Sequence, residues 1–176
     1  VKTGQVALLP EAAYEGQFLA AHERLTAAGY EHYELSNYAR PGRRAVHNSS
    51  YWQGAPYLGI GPSAHGYDGQ QRYWNHAHNH RYLQAIAAGQ LPEAERETLS
   101  QRDRYHEYLM THLRHSQGID PAWIEQQFVP DWWQRFALPL AHWQQQGWVQ
   151  AHQGRLQLTT QGWLISDHLI SDLFLD

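Results

Sequence analysis

The sequence predicts an α/β protein whose second half is mostly helical. Hydrophobic residues make up 42% of the 176 and charged residues 17%, the balance of a globular chain that buries a core. Residues 1–67 follow the order helix, strand, long loop, strand, which is typical of α/β proteins. After Pro92 the sequence changes to repeated helical periodicity. We therefore predict two parts, residues 1–92 and residues 93–176.

The first part is predicted to begin with a helix and a strand. Pro10 precedes an apolar stripe at helical spacing, and Gly29 follows as a helix-terminating glycine. The stripe consists of Tyr14, Phe18, Ala21 and Leu25. Residues 30–35, "YEHYEL", then alternate apolar and polar side chains, which predicts a strand. Pro41 and Gly42 interrupt regular structure.

A long loop and a second strand are predicted next. The loop carries "HNSSYW" at residues 47–52, and "PYLGIG" at residues 56–61 is typical of a buried strand. Residues 79–89, "NHRYLQAIAAG", predict a short helix that ends at its glycine. Residues 90–100, "QLPEAERETLS", are predicted to be a charged connector that contains the domain boundary.

Three helices are predicted in the second part. Ser100 is a suitable N-cap for the first, and Asp120 with Pro121 forms the start of the second. The third covers residues 131–147, where we expect Pro139 to bend it.

A hairpin and a last helix complete the second part. Two short strands flank "HQG" at residues 152–154, and apolar residues at helical spacing follow over 163–173. Helices with a small hairpin resemble a winged-helix arrangement. Residues 101–176, however, contain five Arg and no Lys against eight Asp and Glu. This negative balance disfavours nucleic-acid binding, and we expect a structural role.

Cysteine usage and hydropathy exclude several classes of protein. The chain has no cysteine, so it holds no disulfide, thiolate zinc site or cysteine-ligated iron–sulfur cluster. No apolar run is long enough for a membrane span, and no signal peptide is visible. We expect a cytoplasmic protein. Because the chain begins "VKTGQV" without methionine, we also expect it to be a piece of a longer protein.

Two groups of histidines are candidate metal ligands. His76, His78 and His80 alternate and would share one face of a strand, where three imidazoles could bind a metal. A polar surface loop is the favoured interpretation. His112 and His115, one helical turn apart, are predicted to lie on a solvated helix face.

Three motifs identify a family resemblance. "YELSNYARPG", "HNSSYW" and "YLGIGPSAHG", between Tyr33 and Gly66, resemble oxygen-independent coproporphyrinogen III oxidase-like radical S-adenosylmethionine (SAM) proteins. "HNSSYW" resembles the haem-chaperone (HemW) branch more than the oxidase, and the similarity continues to "LQLTTQGWLISDHLISDLF". The resemblance implies the final strands and helices of a partial (β/α) radical SAM barrel, then a HemN-type helical C-terminal domain with a small hairpin.

The same resemblance implies a 4Fe-4S cluster and SAM in the intact protein. Such proteins hold the cluster on a cysteine loop, and this chain has no cysteine. Radical chemistry is therefore not assigned to this chain alone. The resemblance places SAM against Gly59, Ile60, Gly61 and Ala64, with Ile60 as the apolar contact. The glycines would equally serve a tight turn.

A haem site is the leading interpretation of the "HNSSYW" motif. His47 is the candidate axial ligand of the haem iron, since a neutral imidazole suits that role. Asn48 would fix the ring or the turn, Tyr51 would ligate or hydrogen-bond, and Trp52 would stack on the porphyrin. Arg40, Arg43 and Arg44 would pair with the propionates. From spacing alone, a capped loop with aromatic side chains filling the core is the simpler interpretation.

Three functions follow from these observations. The leading one is a haem chaperone that binds haem or porphyrin and passes haem to a client protein. The second is oxidative decarboxylation of coproporphyrinogen III, in which the arginines would hold the substrate. The third is an interaction domain without a ligand, in which the tryptophan-rich helices form a docking surface.

Overall fold

The computed structural model describes residues 10–52 and 54–176. These residues form two compact units: residues 10–45 with 108–176, and residues 46–107. The predicted mixture of helices and strands is confirmed, and every sheet among the described residues is antiparallel.

The predicted domain division at Pro92 concerns family domains and stays a prediction. The first nine residues of the predicted N-terminal part lie outside the described residues. No closed barrel is formed by the strands of residues 10–52 and 54–176. No helix in the described ranges is both long and apolar enough to cross a membrane.

The first unit begins with a helix and a hairpin. Helix α1 (Glu11–Ala27) is followed by strands β1 (Glu31–Glu34) and β2 (Asn37–Ala39). Pro10 and Gly29 flank α1 as predicted, and Gly29 adopts the left-handed conformation with φ of 84°. The prediction of one strand here missed β2, which pairs antiparallel with β1.

The turn of this hairpin is held by a buried carboxylate. One Glu34 oxygen accepts hydrogen bonds from the Ser36 backbone N–H, at 3.1 Å, and from the Asn37 side-chain amide. Glu34 is only 4% exposed, so the donors compensate for its loss of hydration.

The C-terminal part of the first unit is helical with one hairpin. Helix α4 (Gln101–His112) leads into it, and the following elements are α5 (Pro121–Gln127), α6 (Trp132–Arg135), α7 (Ala137–Gln145), β6 (Val149–His152), β7 (Arg155–Leu158), α8 (Thr160–Leu164) and α9 (Ser166–Ser171). The predicted hairpin around "HQG" is confirmed, with Gln153 and Gly154 both at positive φ in the turn.

Side-chain caps start three of these helices. Ser100 and Asp103 cap α4 reciprocally, since the Ser100 hydroxyl accepts from the Asp103 N–H and the Asp103 carboxylate from the Ser100 N–H. Asp120 accepts from the Trp123 N–H at the start of α5, as predicted. Thr159 caps α8.

Two predicted helices are each divided in two. The helix predicted over residues 131–147 is interrupted at Phe136, before Pro139 rather than bent at it. Pro139 has no N–H for the Arg135 carbonyl, and restarting at Ala137 puts it in a first turn, where no such bond is needed. The last helix is likewise interrupted at Ile165, so that α8 and α9 bury different apolar residues.

Residues 114–119 join the two ends of the first unit. On one side, the Leu35 N–H donates to the Arg114 carbonyl and the Ser116 N–H to the Tyr33 carbonyl, at 2.9 and 3.0 Å. On the other, Ile119 exchanges two backbone bonds with Leu156 of β7, at 2.9 and 3.0 Å.

An apolar core fills the first unit. Its fully buried side chains include Tyr33, Leu109, Leu113, Ile119, Pro121, Ile124, Trp132, Trp143, Leu156, Leu169 and Leu173. Trp163 is also buried, and its indole N–H donates to the Leu113 carbonyl at 3.1 Å. The core thus combines helices with both strands of the C-terminal hairpin.

The second unit contains a three-stranded antiparallel sheet and two helices. Its elements are α2 (Val46–Trp52), β3 (His65–Tyr67), β4 (Gln71–Asn75), α3 (Asn79–Ala87) and β5 (Glu93–Thr98), with β4 between β3 and β5. The predicted helix over residues 79–89 is confirmed. The prediction missed β3 and β4.

Two predictions in the second unit were wrong. The segment predicted to be a charged connector contains strand β5. Its charged side chains suit an exposed edge strand, and Glu97 lies opposite Arg72 of β4. The predicted buried strand "PYLGIG" has only a single bridge, Tyr57 to Tyr67. Leu58 and Ile60 are 71% and 80% exposed, so this segment is an irregular surface stretch.

The favoured interpretation of His76, His78 and His80 as a polar surface stretch agrees with the structure. Strand β4 ends at Asn75, so the three histidines do not share a strand face, and His78 accepts a hydrogen bond from the His80 N–H at the start of α3. The prediction for His112 and His115 was wrong. Neither His112 nor His115 is fully solvated. The His112 ring stacks on Tyr108 with centroids 3.9 Å apart, and its Nδ1 lies 3.0 Å from the Tyr108 carbonyl oxygen.

We predict that Gly118→Ala strongly destabilises the chain. Gly118 has φ of 63°, and a Cβ there would clash with the Leu156 carbonyl oxygen beside the Ile119–Leu156 pairing. Gly147, with φ of 72° and open space around it, is the matched control. Gly147→Ala should lower the free energy of unfolding by about 1–2 kcal/mol through its backbone conformation alone. Gly118→Ala should lower it by clearly more. Equal losses in urea unfolding would contradict the steric argument.

We predict acid destabilisation through His112. Burial lowers the pKa of His112 to about 4, with Arg155 and His115 adding to the effect against the Tyr108 hydrogen bond. The unfolded imidazole has a pKa near 6.5, so it binds a proton first as pH falls. The contribution of the neutral His112 to the free energy of unfolding is therefore fully present above pH 6.5. It is lost as the pH falls toward 4, by up to about 3 kcal/mol.

Urea unfolding at pH 7 and pH 5 tests this assignment. His112→Phe should be less sensitive to the pH change than the parent chain. Exposed His152 provides the control, because His152→Phe should keep the parent's sensitivity. If His112→Phe keeps it as well, the assignment of the acid effect to His112 is wrong.

Candidate functional site

The "HNSSYW" motif forms helix α2 rather than the predicted loop. No glycine or proline lies within Val46–Trp52, and the Ser50 hydroxyl donates to the Val46 carbonyl at 3.0 Å. Pro41 and Gly42 precede the helix and Gly54 follows it, so the breakers flank the motif without entering it.

The helix arranges the four candidate residues as two pairs one turn apart. His47 and Tyr51 share an exposed face, and their rings meet edge-to-face with centroids 4.9 Å apart. Asn48 and Trp52 form the neighbouring, half-buried face. His47 is therefore accessible, with an aromatic ring beside it.

Trp52 carries a hydrogen-bond donor without a partner. Its indole Nε1 is buried and makes no hydrogen bond to the described part of the chain. A buried indole N–H usually finds an acceptor, so this donor is suited to an acceptor supplied by a ligand.

A row of tyrosines continues from α2 onto the sheet. Tyr51 packs against Tyr57 with centroids 4.7 Å apart, and Tyr57 lies 6.3 Å from Tyr67. Tyr57 and Tyr67 also exchange two backbone hydrogen bonds, at 2.8 and 2.9 Å. Burial raises the pKa of Tyr57. We call these three residues the tyrosine row; the sequence prediction did not include Tyr57 or Tyr67.

The predicted propionate-binding arginines belong to the other unit. Arg44 is paired with Glu31, with Nε and Oε2 3.0 Å apart, and its guanidinium lies over the Tyr33 ring at 5.5 Å. Arg40 lies over the ring of Tyr30 at 5.6 Å. Arg43 is exposed next to the turn at Pro41 and Gly42. Arg40 and Arg44 thus already have partners of their own.

The unit that contains His47 has a different arginine close to the tyrosine row. Arg72 on β4 is paired with Glu107, with Nη2 and Oε1 2.7 Å apart. Burial raises the pKa of Glu107 and outweighs the attraction of Arg72, while Asp103 and Glu97 raise it further. No sequence signal connects residues this far apart, and the sequence prediction missed this pair.

The Gly59–Ala64 segment is fixed by a buried asparagine. The Asn75 side-chain amide donates to the carbonyls of Gly59 and Gly61, both at 3.0 Å, and Asn75 is 3% exposed. The Asn75 N–H donates to the Ala64 carbonyl at 2.9 Å. Ile60 is left projecting at 80% exposure, as an apolar contact would require.

The donor set fits haem but not an iron–sulfur cluster. Such clusters are held mainly by cysteine thiolates, and this chain has no cysteine, so its residues do not fit as the cluster's ligand set. Within residues 10–52 and 54–176, no group of three or more His, Asp or Glu side chains is placed to hold a metal ion. A haem iron needs only one imidazole from the protein, and His47 can supply it.

Comparisons with known proteins agree on one family. A family model described as the HemN C-terminal domain matches residues 99–165. The heme chaperone HemW of Mycobacterium tuberculosis (strain H37Rv) is 33% identical over 173 residues, which cover 98% of this chain and 42% of that protein. The mitochondrial radical S-adenosyl methionine domain-containing protein 1 of Bos taurus is 32% identical over 167 residues, covering 90% and 35%.

A solved structure shares the fold. Coproporphyrinogen III oxidase (HemN) from Escherichia coli, a radical SAM enzyme, superposes with a TM-score of 0.67 at 23% identity, over 88% of this chain and 39% of that one. The chain thus spans less than half the length of the relatives that it matches. It belongs to the HemN-like radical SAM proteins and corresponds to their C-terminal portion.

Proposed function

We propose that this chain binds haem and belongs to a haem chaperone that passes haem to a client protein. The single observation that carries the proposal is the exposed His47 on α2, with Tyr51 packed edge-on against it. The matched relatives named heme chaperone HemW support it. A histidine on an exposed helix face suits a cargo site, because the cargo has to leave again.

Each residue of the motif has a role in this proposal. His47 ligates the haem iron through a neutral imidazole. Tyr51 and Trp52 supply aromatic surface to the porphyrin, and the buried, unpartnered Trp52 N–H would gain an acceptor where ligand binding opens access to it. Asn48 lies one turn before Trp52 and shapes that face of the helix.

The arginines near residue 42 are proposed to contact the haem propionates. Arg43 is exposed and meets this requirement as it stands. Arg44 would have to exchange Glu31 for a propionate, and Arg40 would have to leave the Tyr30 ring. Charge-assisted hydrogen bonds to carboxylates are the interactions that arginine makes best.

The remaining family features are also proposals for this chain. We propose that residues 1–92 correspond to the end of a partial radical SAM barrel and residues 93–176 to the C-terminal domain. The family match beginning at residue 99 supports this division. In the intact protein, Gly59, Ile60, Gly61 and Ala64 would contact SAM. The exposure of Ile60 supports an apolar contact there.

Coproporphyrinogen III oxidation is the second candidate, favoured by the fold likeness to the Escherichia coli oxidase. In that case Arg40, Arg43 and Arg44 would hold the propionates of the substrate. A third candidate is docking without a ligand, favoured by large apolar side chains exposed in the second part of the chain. They include Trp123, Trp133 and Leu138.

We predict that His47→Ala changes the haem spectrum without unfolding the chain. His47 is exposed, so its removal leaves no cavity in the core. Titration of the full chain with haem, followed by the Soret band, should show saturable binding that loses its axial-ligand signature in the variant. His80→Ala, at an exposed histidine of α3, is the control and should behave as the parent.

The titration also separates the three candidates. Identical spectra for the parent and His47→Ala would contradict the assignment of His47 as the axial ligand, and with it the proposed cargo site. Saturable binding of coproporphyrinogen III without haem binding would favour the oxidase. Binding of neither, with a melting temperature unaffected by both ligands, would leave docking.

We predict that Asn75→Asp releases the Gly59–Gly61 backbone. A carboxylate cannot donate to the two carbonyls that the amide now satisfies, and it would lie against them in a buried place. We expect a loss of about 2 kcal/mol or more, with faster amide hydrogen exchange in residues 59–64. Asn79→Asp, at an exposed position, is the control. Unchanged exchange in Asn75→Asp would refute the role of this amide.

A further inference from the structure

The unit that contains His47 has its own candidate for a carboxylate contact. Arg72 projects from β4, the central strand of the sheet that carries Tyr67 on its neighbouring strand. Its side chain remains 39% exposed while it pairs with Glu107. The guanidinium is therefore ordered by a partner and still accessible to a ligand.

Arg72 lies next to the tyrosine row. It is directly opposite Tyr67 in the register of β3 and β4, so the two side chains share one face of the sheet. Tyr57 in turn packs on Tyr51, which packs on His47. A continuous aromatic surface thus leads from the imidazole of His47 toward the guanidinium of Arg72.

Arg96, on the neighbouring strand, shows why Arg72 is the better candidate. Arg96 donates two hydrogen bonds to Glu93, one to Asp68 and one to Gln71, so its charge and its donors are already used. Among the described residues, the ion pair of Arg72 is with one carboxylate, that of Glu107, through a contact of 2.7 Å between Nη2 and Oε1.

We propose that Arg72 binds a propionate carboxylate of the haem whose iron is ligated by His47, and that Glu107 holds Arg72 until the ligand arrives. This inference rests on the proposed haem-binding function and deepens it. A flat ligand with an electrophilic metal at its centre and carboxylates at one edge matches the order of the groups: imidazole, aromatic surface, guanidinium. When haem binds, its propionate replaces the Glu107 carboxylate as the partner of Arg72. Arg72 therefore has an anionic partner in both the free and the bound state.

Esterified haem provides the test, because it keeps the iron and the ring but lacks the carboxylate charges. In the full chain, Arg72→Gln should weaken the binding of haem by about 10- to 100-fold and leave the binding of haem dimethyl ester unchanged. Arg81→Gln, at an exposed arginine of α3 in the same unit, is the matched control and should change neither. His47→Ala should alter the spectra of both ligands.

Glu107→Gln is a second, independent variant. It removes the competing carboxylate and keeps the shape of the side chain, so it should tighten the binding of haem and not of the diester. Thermal unfolding of every variant shows that the fold is intact. If Arg72→Gln does not fold, the opposite shift expected for Glu107→Gln still decides the question.

The outcomes distinguish this inference from the function beneath it. Haem binding that does not depend on His47 would overturn the proposed site, and the assignment of Arg72 with it. Haem binding that depends on His47, with equal effects of Arg72→Gln on haem and on the diester, would overturn only the role of Arg72. So would a Glu107→Gln variant with unchanged or weaker affinity for haem.

Discussion

The double pairing of residues 114–119 is the constraint on which the first unit depends. This short stretch bonds to β1 through Leu35 and Tyr33 and to β7 through Leu156. It therefore joins the hairpin near the start of the chain to the hairpin near its end. Gly118 is required because the Leu156 carbonyl approaches too closely for a Cβ. Around this seam the buried aromatic and aliphatic side chains of α4 to α9 form a core.

The second unit is ordered by a different interaction. Among its residues 46–52 and 54–98, no aliphatic or aromatic side chain larger than proline is fully buried, whereas Leu99 and Tyr105 near its C-terminal end are buried. Asn75 and the antiparallel ladder of β4 supply the order instead, since they satisfy backbone groups of the Gly59–Ala64 segment and of two neighbouring strands. Apolar side chains such as Leu58 and Ile60 remain at the surface. In the proposed function, this exposed apolar surface on a segment fixed by hydrogen bonds would receive the flat, mostly apolar ligand.

The proposed reversible binding of haem would give these features a common purpose. A chaperone has to keep its cargo ordered and then release it, which favours an accessible imidazole over one sealed in a core. An arginine that exchanges one carboxylate for another serves the same end, because neither state leaves the cation without a partner. In this proposal, the tyrosine row connects the two groups with an aromatic surface for the porphyrin.

The sequence by itself determined the local elements with strong signals. Pro10 and Gly29 set the limits of α1, Asp120 with Pro121 started α5, and "HQG" made the C-terminal hairpin, because caps and turns depend on neighbours in the chain. The motif at residues 47–52 stands out in the sequence through its family resemblance, whereas its helix was not predicted.

Only the tertiary structure decided the pairings between distant residues. Strand β5 forms because β4 offers backbone groups to pair with and one complementary charge, Arg72 opposite Glu97. The "PYLGIG" segment does not form a regular strand, because its Gly59 and Gly61 carbonyls accept hydrogen bonds from the Asn75 side chain. The ion pair of Arg72 with Glu107 forms because the fold places the two distant residues next to each other. Sequence periodicity indicates which residues are apolar. The partners of backbone hydrogen bonds and of charged side chains depend instead on which distant residues the fold places next to them.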